Sequence, residues 1–434
     1  MKNIIIVECT SSGTEYIRDI RNLGYNPIII ETNISNPETM KVCAAYRKDC
    51  YTRIQAPFPD VIHDTGDFEL LLNRVSSYDP IAVIPGHELG VATANKIAER
   101  LGLPCNPSDI IPAMTNKYDM HMALKKAGIR YIKSKLVSTP DEAVDFFREI
   151  KKPIAIKHNT GGGSIGFHVC SDEDEIIKAV EEEMSRFNLY GDQNTTLLVQ
   201  EYINGTEYLV DIICQNGKQY FEFLGKYRKV LTYDGRKIYD YIYYPKNANL
   251  VEEDKKLIAY AMKAVEAIGI KYGPVHGEYM IDEDGVVLLE VNCRPCGIIT
   301  GDFTDAIIGT HETLLSLKAY LGMDLSGLKS DPDECLNSSS DKKDNFKSGI
   351  MKTITIPKDM IAKEATILNW VNKLPSFHST QEIETDYPRQ LYRTVDLATI
   401  GGLVLLLNNN DEELWADYNT ISDAELNHFD KLFK

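Results

Sequence analysis

The apolar run NIIIVE at 3–8 ends in a polar turn, CTSSG; a helical pattern from Thr14 to Leu23 then leads, past Gly24, to a second run, PIIIE, at 27–31. Two apolar strands joined through a helix by such short links lie side by side as a parallel pair with the helix as crossover. A further run, IAVIPG at 81–86, precedes another helical pattern from about Glu88 to Leu101. Residues 1–112 are therefore expected to form an open α/β lobe on a parallel sheet. Its first turn holds one glycine, Gly13, and lacks GxGxxG. Glu31 closes the second strand where a dinucleotide fold carries its ribose-binding acid, but without the glycines nothing cradles a pyrophosphate, so NAD is not expected.

Beyond this lobe the pattern changes to α+β. In 113–195, a helix over 115–127 ends at Gly128, a strand KLVS follows, and TPDEAVDFFREI reads as a helix with Thr139 as N-cap and Pro140 at its first position. KPIAIKHNTGGGSIGFHVC then has the spacing of a β-hairpin with a glycine tip, not of a strand-to-helix phosphate loop. A helix is expected at about 172–186. Residues 196–325 begin with the strand TLLVQEYI; 206–245 alternate as antiparallel strands, with Tyr239, Tyr241 and Tyr243 on one face. A helix at about 251–268 and the hairpin pair HGEYMI and GVVLLEVN complete this part. Residues 329–348, poor in apolar side chains, read as a mobile loop. The last part, 349–434, reads as a small α+β region with strands GIMKTITIP and GGLVLLLN and a helix SDAELNHFDKLF capped by Ser422.

With 47 basic and 64 acidic residues, the formal charge is −17. A chain this acidic is a poor passive binder of nucleic acid or anionic membrane, although local basic residues still serve small anions. No apolar run reaches the roughly 18 residues of a membrane span. The opening MKNIIIVECT, with a short apolar run followed by Glu8, does not read as a signal peptide. Nine scattered cysteines without framework spacing suggest a reducing cytoplasm and mostly buried thiols.

Chemistry concentrates in three segments. In TGGGSIG at 160–166, consecutive glycines free the backbone to bring several N–H groups to an anion. No GxxxxGK[ST] occurs, so this is no Walker A loop, and a flexible hairpin tip reads equally well. Lys157, in the apolar strand PIAIK, either faces solvent or sets a cation inward beside a phosphate. Next, Glu278, Glu290 and Asn292 form E-x11-E-x-N on paired strands. Residues two apart share a face, so Glu290 and Asn292 point the same way and Glu278 joins them from the partner strand. Hard oxygen donors beside a phosphate suit Mg²⁺. A solvated polar face is the alternative, but the apolar run before Glu290 argues for burial, and a buried carboxylate needs a metal or a cation. Arg294, on the same side, either clamps a developing anion or makes a structural ion pair with these carboxylates. Finally, in VQEYINGTEY at 199–208 a strand edge can read a flat heterocycle through its backbone, and a nearby carboxylate can accept two ribose hydroxyls.

Taken in order, Lys117 on a helix (NKYDM), Lys157 on a strand, the glycine hairpin, Q-E-Y-I, Glu207, and E…E-x-N running into R-P-x-G (Arg294, Pro295, Gly297) resemble the ATP-grasp superfamily over about residues 1–325. PGHELGVATANKIAERLGLPCNP followed by NKYDMHMALKKAGI is similar to its carboxylate–amine ligases, and among these to L-amino acid ligases and carnosine-synthase-like enzymes. The resemblance implies that Lys117 and Lys157 bind the ATP phosphates, with Gly161, Gly162, Gly163 and Ser164 closing over them. Gln200, Glu201, Tyr202 and Ile203 form the hinge, the backbone of Glu201 and Ile203 reading adenine and Glu207 the ribose. Glu278, Glu290 and Asn292 hold two Mg²⁺, for which Mn²⁺ substitutes. Arg294 and Lys157 carry catalysis, Arg294 by stabilising an acyl phosphate and a tetrahedral intermediate. Position assigns Glu88, Asp240 with the tyrosines near it, His276 and Arg294 to the substrate, with a structural histidine an equal reading of His276.

The implied activity joins an amino acid to a second amino acid or amine through an acyl phosphate, releasing ADP and phosphate, in a cytoplasmic enzyme that forms a homodimer and meets neither nucleic acid nor membrane. A purine or carboxyphosphate type of ATP-grasp ligase is the first alternative; it should show extra basic residues around the N-terminal loops, where few occur. A nucleotide-binding protein without turnover is the second, and retention of the whole residue set argues against it. NCRPCG departs from the pattern: Cys293 and Cys296 flank Arg294, and Ile298 follows Gly297 where relatives more often carry a second glycine. The C-x-x-C alone lacks the second ligand pair that zinc requires.

Overall fold

The computed structural model describes residues 1–34, 36–160, 166–186, 194–231, 237–246, 249–297, 301–332, 334, 347–364, 370–381, 388–395 and 399–429. The parallel strands Asn3–Val7, Asn26–Glu31, Asp60–His63 and Pro80–Pro85 form the N-terminal sheet, ordered third, second, first, fourth. The runs of isoleucine are explained by burial on both faces. Ile5 and Val7 join a cluster with Leu71, Val75 and Ile97, while Ile4 and Ile6 join Tyr16, Ile20, Leu317 and Tyr320. The last two come from the helix Glu312–Tyr320, so the sheet's second face is sealed by the body of the protein. Gly13 serves packing: a Cβ there would lie 2.2 Å from the Gly86 carbonyl oxygen.

A second sheet is antiparallel, in the order Ser134–Val137, Leu197–Glu201, Ile154–Lys157, His168–Cys170. Ile154–Lys157 and His168–Cys170 are the two arms of the hairpin read from the sequence. Leu197–Glu201 belongs to this smaller sheet, although the sequence boundary at 195/196 placed it in the larger lobe. The third sheet has eight strands: Gly285–Asn292, Gly273–Asp282, Thr206–Gln215, Lys218–Leu231, Lys237–Tyr244, Ser348–Ile354, Gly402–Asn408 and Phe377–Gln381, side by side in that order. Three of these come from the C-terminal region, which therefore extends the large sheet through the pairing of Tyr241 with Lys352.

Two expectations for the chain's second half are corrected. Asp240 is an extra residue against Arg228 and Lys229, which pair with Tyr241 and Tyr239. This bulge reverses the alternation. Tyr239 turns to Tyr227 and Glu207, whereas Tyr241 and Tyr243 pack on Trp415 of the C-terminal helix. That helix runs Asp411–Asn427, with Ser422 inside it rather than as its cap. Asn410 is the N-cap, accepting from the Glu412 N–H, and Asp411, Glu412 and Glu413 favour the positive end of the helix.

Of the 329–348 segment, Lys329 accepts the Phe221 N–H and Ser348 opens a strand; 333 and 335–346 lie outside the described residues. Among the described residues no helix is long and apolar enough to cross a membrane, and every described cysteine is free, most of them buried.

Candidate active site

The register of the large sheet assembles the site. Glu278 stands opposite Glu290 and His276 opposite Asn292; on the other flank Leu209 faces Glu278 and Asp211 faces His276. Glu278, Glu290 and Asn292 thus share a face, and the Asn292 amide donates to Glu290 Oε1 at 3.4 Å. Asn116 caps the helix Lys117–Lys126, leaving Lys117 at its first position. From there Lys117 Nζ reaches Glu290 Oε2 at 2.6 Å. The Asn159 carbonyl accepts the Lys117 N–H and its side-chain oxygen the Tyr118 N–H, which ties this helix start to the chain entering the glycine hairpin. Burial opposes the charge on Glu290, but Lys117 and then Lys157 outweigh it and hold the carboxyl at about 2.

Lys157 has no ion pair within reach among the described residues. Burial first, and then the like charge of Lys117, pull it down to about 8, against the opposite pull of Glu290, Glu278 and Glu207. An amine poised there is half neutral near pH 8, and only its protonated form attracts phosphate. Affinity of the free protein for an ATP analogue is therefore expected to fall as pH rises through about 8 and to recover as pH falls below it. Lys157→Arg, which keeps its charge, should flatten that limb in a titration-calorimetry pH series; an unchanged limb would assign it elsewhere.

At the hinge, buried Gln200 donates through Nε2 to Ser134 Oγ at 2.8 Å, and the Glu201 carboxylate accepts the Lys133 N–H at 3.0 Å. The N–H groups of Glu201 and Tyr202 donate to the carbonyls of Lys133 and Pro153. The Ile203 N–H has no partner among the described residues. Glu207 is buried against Lys229 Nζ and the Tyr239 hydroxyl, the latter at 3.1 Å. Burial raises its carboxyl, and Lys229 works against that. Gly161, Gly162, Gly163 and Ser164 lie outside the described residues.

On the far side of the carboxylates, Arg294 Nε lies 3.7 Å from Glu88 Oε2, while its Nη1 donates to the Pro295 carbonyl at 3.0 Å. Burial raises the Glu88 carboxyl, opposed by Arg294. The N-terminal lobe closes on this corner: Ser11 Oγ donates to the Gly297 carbonyl, and the Gly301 N–H donates to Glu15. His276 is buried, with Nδ1 2.7 Å from Asp211 Oδ1. Asp240 stands apart from the group. Its carboxylate meets Lys352 Nζ at 2.9 Å and the Tyr418 hydroxyl at 2.7 Å, on the side of the C-terminal helix.

Lys229, Asp211, Glu222 and Glu312 were not among the residues singled out from the sequence; Tyr239 was, but on a face shared with Tyr241 and Tyr243. Asp211 carried a usable signal. It interrupts YLVDII two strand steps from Glu207, so a carboxylate on the same face of an apolar strand was readable. Lys229 carried none, since a register shift between Arg228 and Lys229 sets which way it faces.

An ATP-grasp domain model matches residues 150–302. Over 298 residues, 68% of this chain and 67% of the relative's length, the chain is 26% identical to dapdiamide A synthase of Enterobacter agglomerans. Its fold is that of the L-amino acid ligase from Bacillus licheniformis, with a TM-score of 0.70 at 16% identity, covering 98% of this chain and 97% of that one. It is likewise similar to N5-carboxyaminoimidazole synthase from Aspergillus clavatus, with a TM-score of 0.67 at 14% identity and 98% of both chains covered. Residues 150–302 thus match the ATP-grasp domain, and the chain as a whole shares the fold of these solved ligases.

Proposed function

We propose that the protein is an ATP-dependent ligase that activates the carboxylate of an amino acid as an acyl phosphate and passes it to the amine of a second amino acid or related molecule. The observation that carries this reading is that Glu278, Glu290 and Asn292 share one sheet face, met by Lys117 from its helix and by the Arg294–Glu88 pair at the border of the N-terminal lobe. The dapdiamide A synthase relative and the shared fold of an L-amino acid ligase support it.

A carboxylate is a poor electrophile. Its oxygen attacks the γ-phosphorus of ATP in line, the bond to the bridging oxygen breaks, and ADP leaves. Lys117 and Lys157 oppose the charge of the two anions brought together. Glu278, Glu290 and Asn292 fit Mg²⁺ as a set of hard oxygen donors beside those lysines; when bound there, the metal would neutralise phosphate charge. The amine nitrogen then attacks the acyl carbon, an amine proton passes to solvent, and the C–O bond to phosphate breaks as the amide forms. Arg294, aimed by Glu88 and Pro295, donates to the oxyanion and to the departing phosphate.

One observation favours an amino acid over a ribonucleotide phosphate as the substrate. The arginines at the N-terminal border are already neutralised, Arg47 by Glu8 and Arg18 by Glu15 and Asp19. The small concavity beside the Arg294 loop, lined by Ser12, Glu15, Thr304, His311 and Glu312 among others, presents no arginine or lysine to a phosphate. The test is ADP and phosphate release with Mg²⁺-ATP against a matrix of amino-acid pairs, with mass spectrometry of the products. ADP release that needs two partners, with a new amide mass, is expected. AMP with pyrophosphate would overturn the acyl-phosphate route, and ATP binding without turnover across the matrix would favour a binding protein.

A further inference from the structure

The most heavily loaded polar cluster outside the nucleotide site lies beneath the Arg294 loop. One ligand atom each from Asp211, His276 and Cys296 lies within 4.8 Å of the others, and all three residues are buried. They come from two paired strands and the loop, with Asp211 directly opposite His276. Asp211 is 0% exposed, yet its Oδ2 has no hydrogen-bond partner; neither oxygen of Glu222, 1% exposed, has one, nor has Oε1 of Glu312. Glu222 reaches this place as the extra residue of a bulge between Phe221 and Phe223, the latter paired with Asp211. Glu312 joins through Oε2, which accepts the Cys296 N–H at 2.7 Å.

Orphaned oxygens of this kind are rare in folded proteins, because each loses its water and gains nothing in return. His276, with Nδ1 2.7 Å from Asp211 Oδ1, is a positive partner for that one oxygen, and it leaves Asp211 Oδ2, both oxygens of Glu222 and Oε1 of Glu312 without a bond. We propose that Asp211, His276 and Cys296 bind one zinc-class divalent cation, with Glu222 and Glu312 beside them as fourth ligand or as an anionic surround. The donor set decides the class. Thiolate sulfur with imidazole nitrogen and a carboxylate oxygen suits Zn²⁺, whereas the all-oxygen set of Glu278, Glu290 and Asn292 suits Mg²⁺. Bonds of about 2.0–2.3 Å in a tetrahedral set put ligand atoms about 3.5 Å apart, so atoms within 4.8 Å of one another would draw in to that spacing around the ion. Of the two cysteines of NCRPCG only Cys296 takes part, and Asp211 and His276 join it from distant strands. Cys293 takes no part: it packs in the core with Val210, Leu257 and Val291. A cation held by Cys296 would fix the loop from which Arg294 projects.

The test uses the full chain, stripped with chelator and reloaded with Co²⁺ in the absence of nucleotide, so it is independent of ligase turnover. One cobalt per chain after gel filtration, with a thiolate-to-cobalt charge-transfer band in the near ultraviolet and displacement by Zn²⁺, is the expected result. Cys296→Ala should abolish the band and lower retained metal at least tenfold, while Cys293→Ala keeps both. Where Cys296→Ala fails to fold, the wild-type spectrum decides by itself. Wild-type protein that retains no cobalt, or a Cys296→Ala variant that retains it with the band intact, overturns the site. So does cobalt bound without the band, which would report oxygen and nitrogen ligands such as the His168, Glu182 and Glu183 cluster.

Discussion

Arg294→Ala is expected to lower kcat about 10²–10³-fold, the usual cost of removing one preorganised donor to a developing oxyanion, while KM for ATP stays nearly constant. Arg294 is four-fifths buried, 3.7 Å from Glu88 and away from the hinge that would hold the adenine. Its charge therefore acts where the acyl group reacts and contributes little to ground-state nucleotide binding. An interaction made only in the transition state lowers kcat and kcat/KM together, and this signature separates it from the structural alternative. If Arg294 merely pairs with Glu88, then Arg294→Ala and Glu88→Gln should destabilise the fold to a similar degree and leave kcat within about threefold of wild type. Steady-state kinetics with saturating amino acids, alongside urea unfolding of both variants, distinguishes the outcomes. The same kinetics on Glu88→Gln measures how much of Arg294's effect depends on being aimed.

The parts legible in the sequence were those governed by period and local chemistry. Apolar runs NIIIV and PIIIE announced a parallel sheet because burial on both faces removes alternation. The E-x-N spacing placed Glu290 and Asn292 on one face because a strand's period is two. The helix expected over 115–127 runs Lys117–Lys126, because the Asn116 side chain takes the Asp119 N–H and starts it there. What escaped depended on contacts between distant segments. The bulge at Asp240 separates Tyr239 from Tyr241, and no residue type in DYIYY announces it. Asp240 itself looked available to a substrate because its partner, Lys352, lies in another part of the chain. The Asp211–His276–Cys296 cluster was hidden for the same reason: each residue has an ordinary local setting, and only strand register and the turn after Asn292 bring them together. Ser422 was mistaken for a helix cap because DEELWADYNT, read beside the apolar strand GLVLLLN, gave a weak amphipathic pattern, whereas the actual start rests on Asn410 and three acids.

Lys352→Met is the change expected to cost the fold most. Lys352 is fully buried, and its Nζ lies 2.9 Å from Asp240 and 2.5 Å from Glu425, two carboxylates that are themselves over nine-tenths buried. It joins the strand Lys237–Tyr244, its own strand and the C-terminal helix at one point. Glu425 also takes the N–H and hydroxyl of Thr355, and Asp240 the hydroxyl of Tyr418, so neither carboxylate can turn to solvent without breaking further bonds. Methionine fills the volume but leaves two desolvated anions facing each other, and removing one partner of such a buried group typically costs about 3–5 kcal/mol. Both tryptophans of the chain, Trp370 and Trp415, lie in this C-terminal cluster, so intrinsic fluorescence during urea unfolding reads the region directly. The triple variant Lys352→Met, Asp240→Asn, Glu425→Gln removes the orphaned charges and should recover much of the loss, since replacing a whole buried ion group is far cheaper than halving it. At a temperature where Asp240→Asn remains folded, its KM for the amino-acid substrates should equal that of wild type. A KM raised tenfold with unperturbed stability would instead place Asp240 against the substrate and make Lys352 its positioning residue.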